Sequence, residues 1–401
     1  MTPSPGADVR RLLDSKQVVI ACGPGGVGKT TTTAALGAAL AAGEECRVLV
    51  LTVDPARRLA EALGLTSLGN DARRIPLEPI APRGRPRGEL WAAMLDTQQS
   101  WDHLVERHSP DPASAARILA NPLYRNITGR FARSHEYIAM ERLYELHAEG
   151  RYDLVVVDTP PSRDALDFLD APERMAEFFS SRLLRWLVAP SRSRLVELAS
   201  RPFYQVADRI LGTQFLEDVA EFFLLFQSMY DGFVARARGV SALLRDRSTT
   251  FMVVTTLEHA PAQEALRLAE ELDRRHLELG LVVANKALPH LYEGPGVEVA
   301  DELRTRARPL AEALVAALPQ REAAGPLADP LGVARVLEEI GQSFRDYRRV
   351  ADREAELLSR LSATHQVAVT VPHLARDVTD LESLGEVGRA LLGDPSGPAG
   401  G

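Results

Sequence analysis

The sequence predicts an α/β fold: a doubly wound, mostly parallel sheet with a helical insertion. Three observations carry that prediction. Short runs rich in Val, Ile and Leu alternate with helical segments along most of the 401 residues, and strands that are apolar throughout belong to a parallel sheet covered on both faces. A glycine-rich turn joins the first such run to an alanine-rich helix former, the junction at which open α/β sheets take up phosphate groups. The composition, 45% hydrophobic and 25% charged, is that of a globular chain whose core needs no covalent staples.

Taken in order, residues 1–14 begin polar and Pro-containing and are expected to form a frayed tail. Residues 18–21 (Val-Val-Ile-Ala) read as a buried strand and residues 32–42 as a helix, because alanine is the best helix former. Residues 48–53 read as a second strand and 57–63 as a helix, while the Pro/Gly run at 82–88 must be a loop. A strand at 90–95 and a mostly helical stretch at 101–146, interrupted near Asn121-Pro122, follow. Further strands are expected at 154–157, 251–255, 281–284 and 367–371. Residues 165–244 are too long for a simple crossover and read as a helical insertion within one domain spanning 1–401; residues 393–401, rich in Gly and Pro, read as a second tail.

Composition excludes several classes of function. Net charge is −8, the wrong sign for non-specific nucleic-acid binding. Two cysteines, Cys22 and Cys46, make neither a disulfide framework nor a cysteine zinc site. No run approaches the roughly 18 apolar residues of a membrane span, and residues 1–6 do not form a signal peptide, so a cytoplasmic location is expected. Lysine is rare: only Lys16, Lys29 and Lys286 occur among 47 basic residues.

The chemistry concentrates in Gly23-Pro24-Gly25-Gly26-Val27-Gly28-Lys29-Thr30, which fits G-x-x-x-x-G-K-[ST]. Glycines let a loop fold around a phosphate with its N–H groups inward. Lys29 would neutralise the β- and γ-phosphates, Thr30 would place its hydroxyl on Mg²⁺, and the helix behind would aim its N-terminal dipole at the anion. Two carboxylates end the next strands. Asp158 follows four apolar residues, as does an acid holding the Mg²⁺ shell; Asp54 suits a residue that orients the attacking water. Helix N-capping is the competing reading for both.

Pro-Gly-Gly-Val-Gly-Lys-Thr at 24–30, Asp-Pro-Ala-Arg-Arg-Leu at 54–59 and Asp-Thr-Pro-Pro-Ser at 158–162 together resemble the ArsA/Get family of P-loop ATPases. That family includes the arsenite-pump ATPase and the ATPase that targets tail-anchored membrane proteins. The chain looks closest to actinobacterial ArsA-like subunits that work in pairs, and the resemblance runs from Val18 to Leu392. It implies a P-loop NTPase fold, ATP and Mg²⁺ as ligands, and a phosphate loop of Gly25, Gly26, Val27, Gly28 and Lys29, with Thr30 on Mg²⁺ and Thr31 near the α-phosphate. Residues 54–56 would be switch I and 158–162 switch II. Asn285 would read adenine and Pro372 would pack on the base; their competing readings are a turn residue and a strand terminator. The partners it implies are an identical chain or a paralogous ATPase subunit, with a hydrophobic client or membrane protein acted upon.

Three departures qualify the resemblance. Pro24 stands where the family carries a signature lysine that reaches across the dimer, Arg163-Asp164 replace a Gly-His pair, and Arg58 replaces Ser or Asn. Arg57, Arg58 or Arg163 would supply a substitute cation; solvated helix faces are the alternative. Arsenite binding needs several thiolates, which two cysteines do not provide. Nine of the 12 phenylalanines fall between Phe168 and Phe233, apolar bulk that either packs on the ATPase core or on a second subunit, or meets a hydrophobic partner. The reading is a Mg²⁺-dependent ATPase that rearranges a dimer. A nucleotide-binding regulatory subunit with little turnover is the runner-up. A MinD/ParA-like positioning ATPase ranks last, because residues 385–401 offer neither a membrane helix nor a basic face.

Overall fold

The computed structural model describes residues 5–53, 58–81, 84–122, 124, 134–160, 170, 174, 177, 222, 229–288, 296–317, 329–363 and 367–393. Among these residues eight strands form one sheet: β1 (Val18–Cys22), β2 (Arg47–Thr52), β3 (Arg73–Ile75), β4 (Glu89–Met94), β5 (Leu154–Asp158), β6 (Thr249–Thr256), β7 (Leu279–Ala287) and β8 (Val367–Pro372). Their order is β3-β4-β2-β5-β1-β6-β7-β8. Only β3 runs antiparallel, beside β4; the other pairings are parallel. The chain builds outward from β1 on one side, returns with β5, then adds β6, β7 and β8 on the other. The winding therefore reverses beside β1, and ligands sit at the carboxyl ends of strands at such a reversal.

The apolar runs form strands because both faces are covered. β1, β5 and β6 are buried at every position. The two-residue period splits each strand between two layers: Val18, Ile20 and Cys22 join one core, and Val19 and Ala21 the other. The first layer contains α4 (Thr97–His108), α6 (Ser134–Ala148), α7 (Tyr230–Leu244) and α8 (His259–Arg274). The second contains α1 (Pro5–Leu13), α2 (Lys29–Gly43), α3 (Arg58–Ala62) and α12 (Leu381–Leu392). The interruption at Asn121-Pro122 closes α5 (Pro112–Ala120), whose C-cap is Asn121. A smaller cluster, Ala307, Ala311 and Ala334, joins α10 (Ala307–Ala317) to the 33-residue α11 (Pro330–Ser362), which also lies against α9 (Gly296–Thr305).

One expectation changes. The frayed tail at residues 1–14 is instead mostly α1, which buries Val9 and Leu13 in the second core; its apolar pair at i and i+4 escapes notice among the polar residues. At the far end of the stretch read as an insertion, Phe233, Val240 and Leu244 of α7 are buried with the sheet, in keeping with the reading that its apolar residues pack on the core. Apart from Asp170, Arg174, Glu177 and Phe222, residues 161–228 lie outside the described residues, as do 394–401. No helix among the described residues is long and apolar enough to cross a membrane.

Candidate nucleotide-binding site

The loop after β1 sits at the centre of the sheet's carboxyl edge. Gly23, Gly26 and Gly28 take φ values of 142°, 79° and 92°, a region that only glycine enters freely. Sterics fix two of them further. A Cβ on Gly23 would stand 2.1 Å from the Val254 carbonyl oxygen, and one on Gly28 would stand 2.3 Å from Asn285 Nδ2. Gly25 and Gly26 face outward, and a Cβ on Gly26 would meet nothing within 4 Å. α2 starts at Lys29, with Gly28 as an N-cap that offers no side-chain acceptor to the first-turn amides. Such a helix start presents N–H groups to an anion.

Lys29 is buried, and its Nζ donates to the carbonyls of Gly23 and Pro24 at 2.9 Å each. The ammonium is thereby folded against the loop it serves. Thr30 and Thr31 follow in the first turn, half-buried. Thr30 Oγ1 donates to Asp158 Oδ2 at 2.8 Å, and Thr52 Oγ1 donates to the same oxygen at 2.9 Å. Register explains the meeting: Asp158 is level with Ala21 of β1 on one side and Thr52 of β2 on the other. Thr159 Oγ1 then donates to the Ala21 carbonyl at 2.7 Å, tying the exit of β5 to the entry of the loop. Thr52 does not stand out in the sequence, because its role comes from strand register; Thr159 lies in the 158–162 motif, but its bond to Ala21 is likewise set by register.

The donor set suits the expected ligands. Two hydroxyls and a carboxylate gather around one point, the hard oxygen chemistry that Mg²⁺ takes. The glycine loop, a buried lysine and an open helix start suit a polyphosphate. On the other flank, Asn285 is buried, donates from Nδ2 to the Val27 carbonyl at 2.8 Å, and accepts the Lys286 N–H on Oδ1 at 3.0 Å. Pro372 is exposed and level with Ala287, whose carbonyl accepts the His373 N–H at 2.9 Å. The structure thus brings together Gly25, Gly26, Val27, Gly28, Lys29, Thr30, Thr31 and Asp158, with Asn285 against the loop and Pro372 on the neighbouring strand. Asp54, Arg57, Arg163 and Asp164 lie outside the described residues, and Arg58 opens α3.

Elsewhere the candidate chemistry is already spent. Burial pushes the Cys22 thiol up to about 12, only partly offset by Lys29, and burial with Glu44 and Asp153 nearby pushes Cys46 to about 11. Neither is a ready thiolate for a soft ion. His108, Glu141 and Glu145 hold ligand atoms within 4.8 Å of one another. Their carboxylates are met, however, by Arg236 at 2.6 Å, Arg142 at 3.1 Å and Arg107 at 3.5 Å, so guanidinium groups balance the local charge without a metal ion.

Comparison with known proteins agrees with this geometry. Residues 16–296 match the family model ArsA_ATPase, described as anion-transporting ATPase. The chain is 25% identical over 296 residues to an ATPase ASNA1 homolog of Entamoeba dispar, covering 72% of this chain and 82% of that protein. It is 25% identical over 305 residues to ATPase GET3 of Malassezia globosa, covering 72% and 77%. Identity reaches 30% over 282 residues with an uncharacterized protein of Streptomyces coelicolor, covering 68% and 63%.

Proposed function

This chain belongs to the ArsA family of ATPases, and from that premise we propose that it hydrolyses ATP with Mg²⁺ at the β1–α2 loop and uses the cycle to rearrange a dimer that acts on a partner protein. The observation that carries the reading is the meeting of Thr30 and Thr52 on Asp158 Oδ2 beside a buried Lys29. Thr30 and Asp158 would hold the ion, which when bound neutralises charge on the phosphate oxygens. Lys29 and the loop amides carry the charge that develops in the transferred group. Asp54, two residues beyond Thr52, orients the attacking water, and Asn285 with Pro372 frames the base. The partners proposed are a second copy or a paralogous subunit, and a hydrophobic client or membrane protein, in the cytoplasm.

A second reading has its own support. Pro24 offers no cation to a neighbouring subunit, and its carbonyl instead accepts Lys29 Nζ. A chain so built would bind nucleotide and wait for a paralogue to supply the charge. Steady-state ATP hydrolysis by the purified protein with Mg²⁺, beside a Lys29→Ala control, separates the two. Turnover that vanishes in the control, and on chelating Mg²⁺, is the expected result. Tight ATP binding without turnover would replace the first reading by the second.

A further inference from the structure

We infer that Asn285 is a positioning residue for the phosphate loop, pinning Val27 and Gly28 from the end of β7 whether or not a base is bound. The inference rests on the assignment of residues 23–31 as the phosphate site. Asn285 stands at the last regular position of β7. Leu281 and Val283 belong to the core on the α2 face, so the two-residue period aims Asn285 at that face too. There its Nδ2 donates to the Val27 carbonyl inside the loop. The loop makes room for it: any side chain at Gly28 would run into Asn285 Nδ2.

The strand is shaped around this contact. The β7–β8 register shifts between Ala284 and Ala287, and Lys286 takes φ 57°, a left-handed conformation that is uncommon outside glycine. Bulges of this kind sit beside functional sites and fix the aim of a side chain. Here the aim is fixed from behind as well, because Lys286 donates its N–H to Asn285 Oδ1. Beyond the bulge, Ala287 pairs with Pro372, and Leu288 donates its N–H to Glu354 of α11 at 2.8 Å. One short segment therefore joins the phosphate loop, the strand carrying Pro372, and the long helix. An amide has two N–H groups and two lone pairs, so holding the loop does not stop Asn285 from meeting a purine edge.

The two roles separate experimentally. A residue that only reads adenine affects ATP and leaves the empty loop alone. A residue that positions the loop affects it with no ligand present. Amide hydrogen exchange of the nucleotide-free protein is the deciding measurement. In Asn285→Ala the peptides spanning residues 21–33 are expected to exchange about tenfold faster, as loss of one buried hydrogen bond gives, while β2 and β6 keep their protection. Asn285→Asp, the same shape without the N–H, decides the matter if the alanine variant folds poorly, and the same acceleration is expected. Affinity for inorganic tripolyphosphate, which has no base to read, should then fall along with the affinities for ATP and GTP. Loop exchange equal to the parent's would overturn the inference whichever ligand is weakened. Lys29→Ala tests the phosphate-site assignment separately: unchanged ATP affinity in that variant would remove the assignment, while the exchange result, which needs no ligand, would still be read on its own.

Discussion

Asp158 shows how a single residue's role is set by strands far apart in sequence. Its Oδ2 accepts hydroxyls from Thr30, 128 residues away, and Thr52, 106 residues away. Thr52 is 1% exposed, so its hydroxyl is held for this contact and not for water. Thr52→Val keeps the shape and removes the donor. It is expected to cost about 1.5–3 kcal/mol in chemical denaturation, the range for a hydrogen bond to a charged group. It should also raise the Mg²⁺ concentration for half-maximal ATP hydrolysis; no change in either would take Thr52 out of the site. The loop glycines, Lys29, Thr30 and Asp158 are legible from sequence because the chemistry demands particular residue types at fixed spacing. Thr52 is not, since any β-branched residue suits a strand end and only parallel register reveals its partner; Thr159 is marked by its motif, but its bond to Ala21 is not. Asn285 is legible as a position, but its bond to Val27 depends on a bulge that leaves no mark in residue type.

Among the elements, α2 is the one the site cannot do without, and it is clamped on both sides. Its residues are apolar nearly all round, and 11 of the 15 are buried, because the sheet covers one face and α12 the other. Small residues make the close approach possible. A Cβ on Gly37 would reach Val50 Cγ2 at 2.6 Å, and one on Gly388 of α12 would reach Ala39 Cβ at 2.6 Å and the Ala35 carbonyl oxygen at 2.9 Å. In an open helix Gly→Ala stabilises by up to about 1 kcal/mol. At Gly388 the sign should reverse, with a loss of about 1–3 kcal/mol from overpacking. Gly232→Ala in α7 serves as the control, since its Cβ meets only the far end of the Arg236 side chain at 3.0 Å; denaturation midpoints that move the same way in both variants would contradict the argument. The buried strands are legible because each is an apolar run. β3 is not: it has three residues, two of them exposed arginines, and it exists because β4 offers an edge. α2 begins three residues earlier than its alanines suggest, since the phosphate motif itself supplies the first turn.

For the whole molecule, stability is expected to be uneven, and α11 marks the boundary. The helix is about 50 Å long at 1.5 Å per residue. One stripe along it carries Val336, Ile340, Tyr347 and Val350, which are 42–54% exposed, and continues into Leu357 and Leu361, which are buried. The change comes at Glu354, where the carboxylate accepts the Leu288 N–H beyond the Asn285 bulge. C-terminal to that point the helix shares the main core; N-terminal to it, it shares the alanine cluster with α10 and packs on α9, where Gly341 comes close to the Ala300 carbonyl and Arg345 donates to Asp301 at 2.7 Å. Alanine burial removes little apolar surface from water, so this half of the helix should open locally without the sheet unfolding. Native-state hydrogen exchange is expected to show residues 333–350 at least tenfold less protected than residues 354–362, with β1 and β6 exchanging only through global unfolding. The Glu354 joint would then lie between a rigid nucleotide platform and a helical extension of low local stability, the class of element from which proteins draw their moving parts. Uniform protection along the whole of α11 would show instead that the helix is held as one body with the sheet, and the dimer rearrangement proposed for the ATPase cycle would have to use another element.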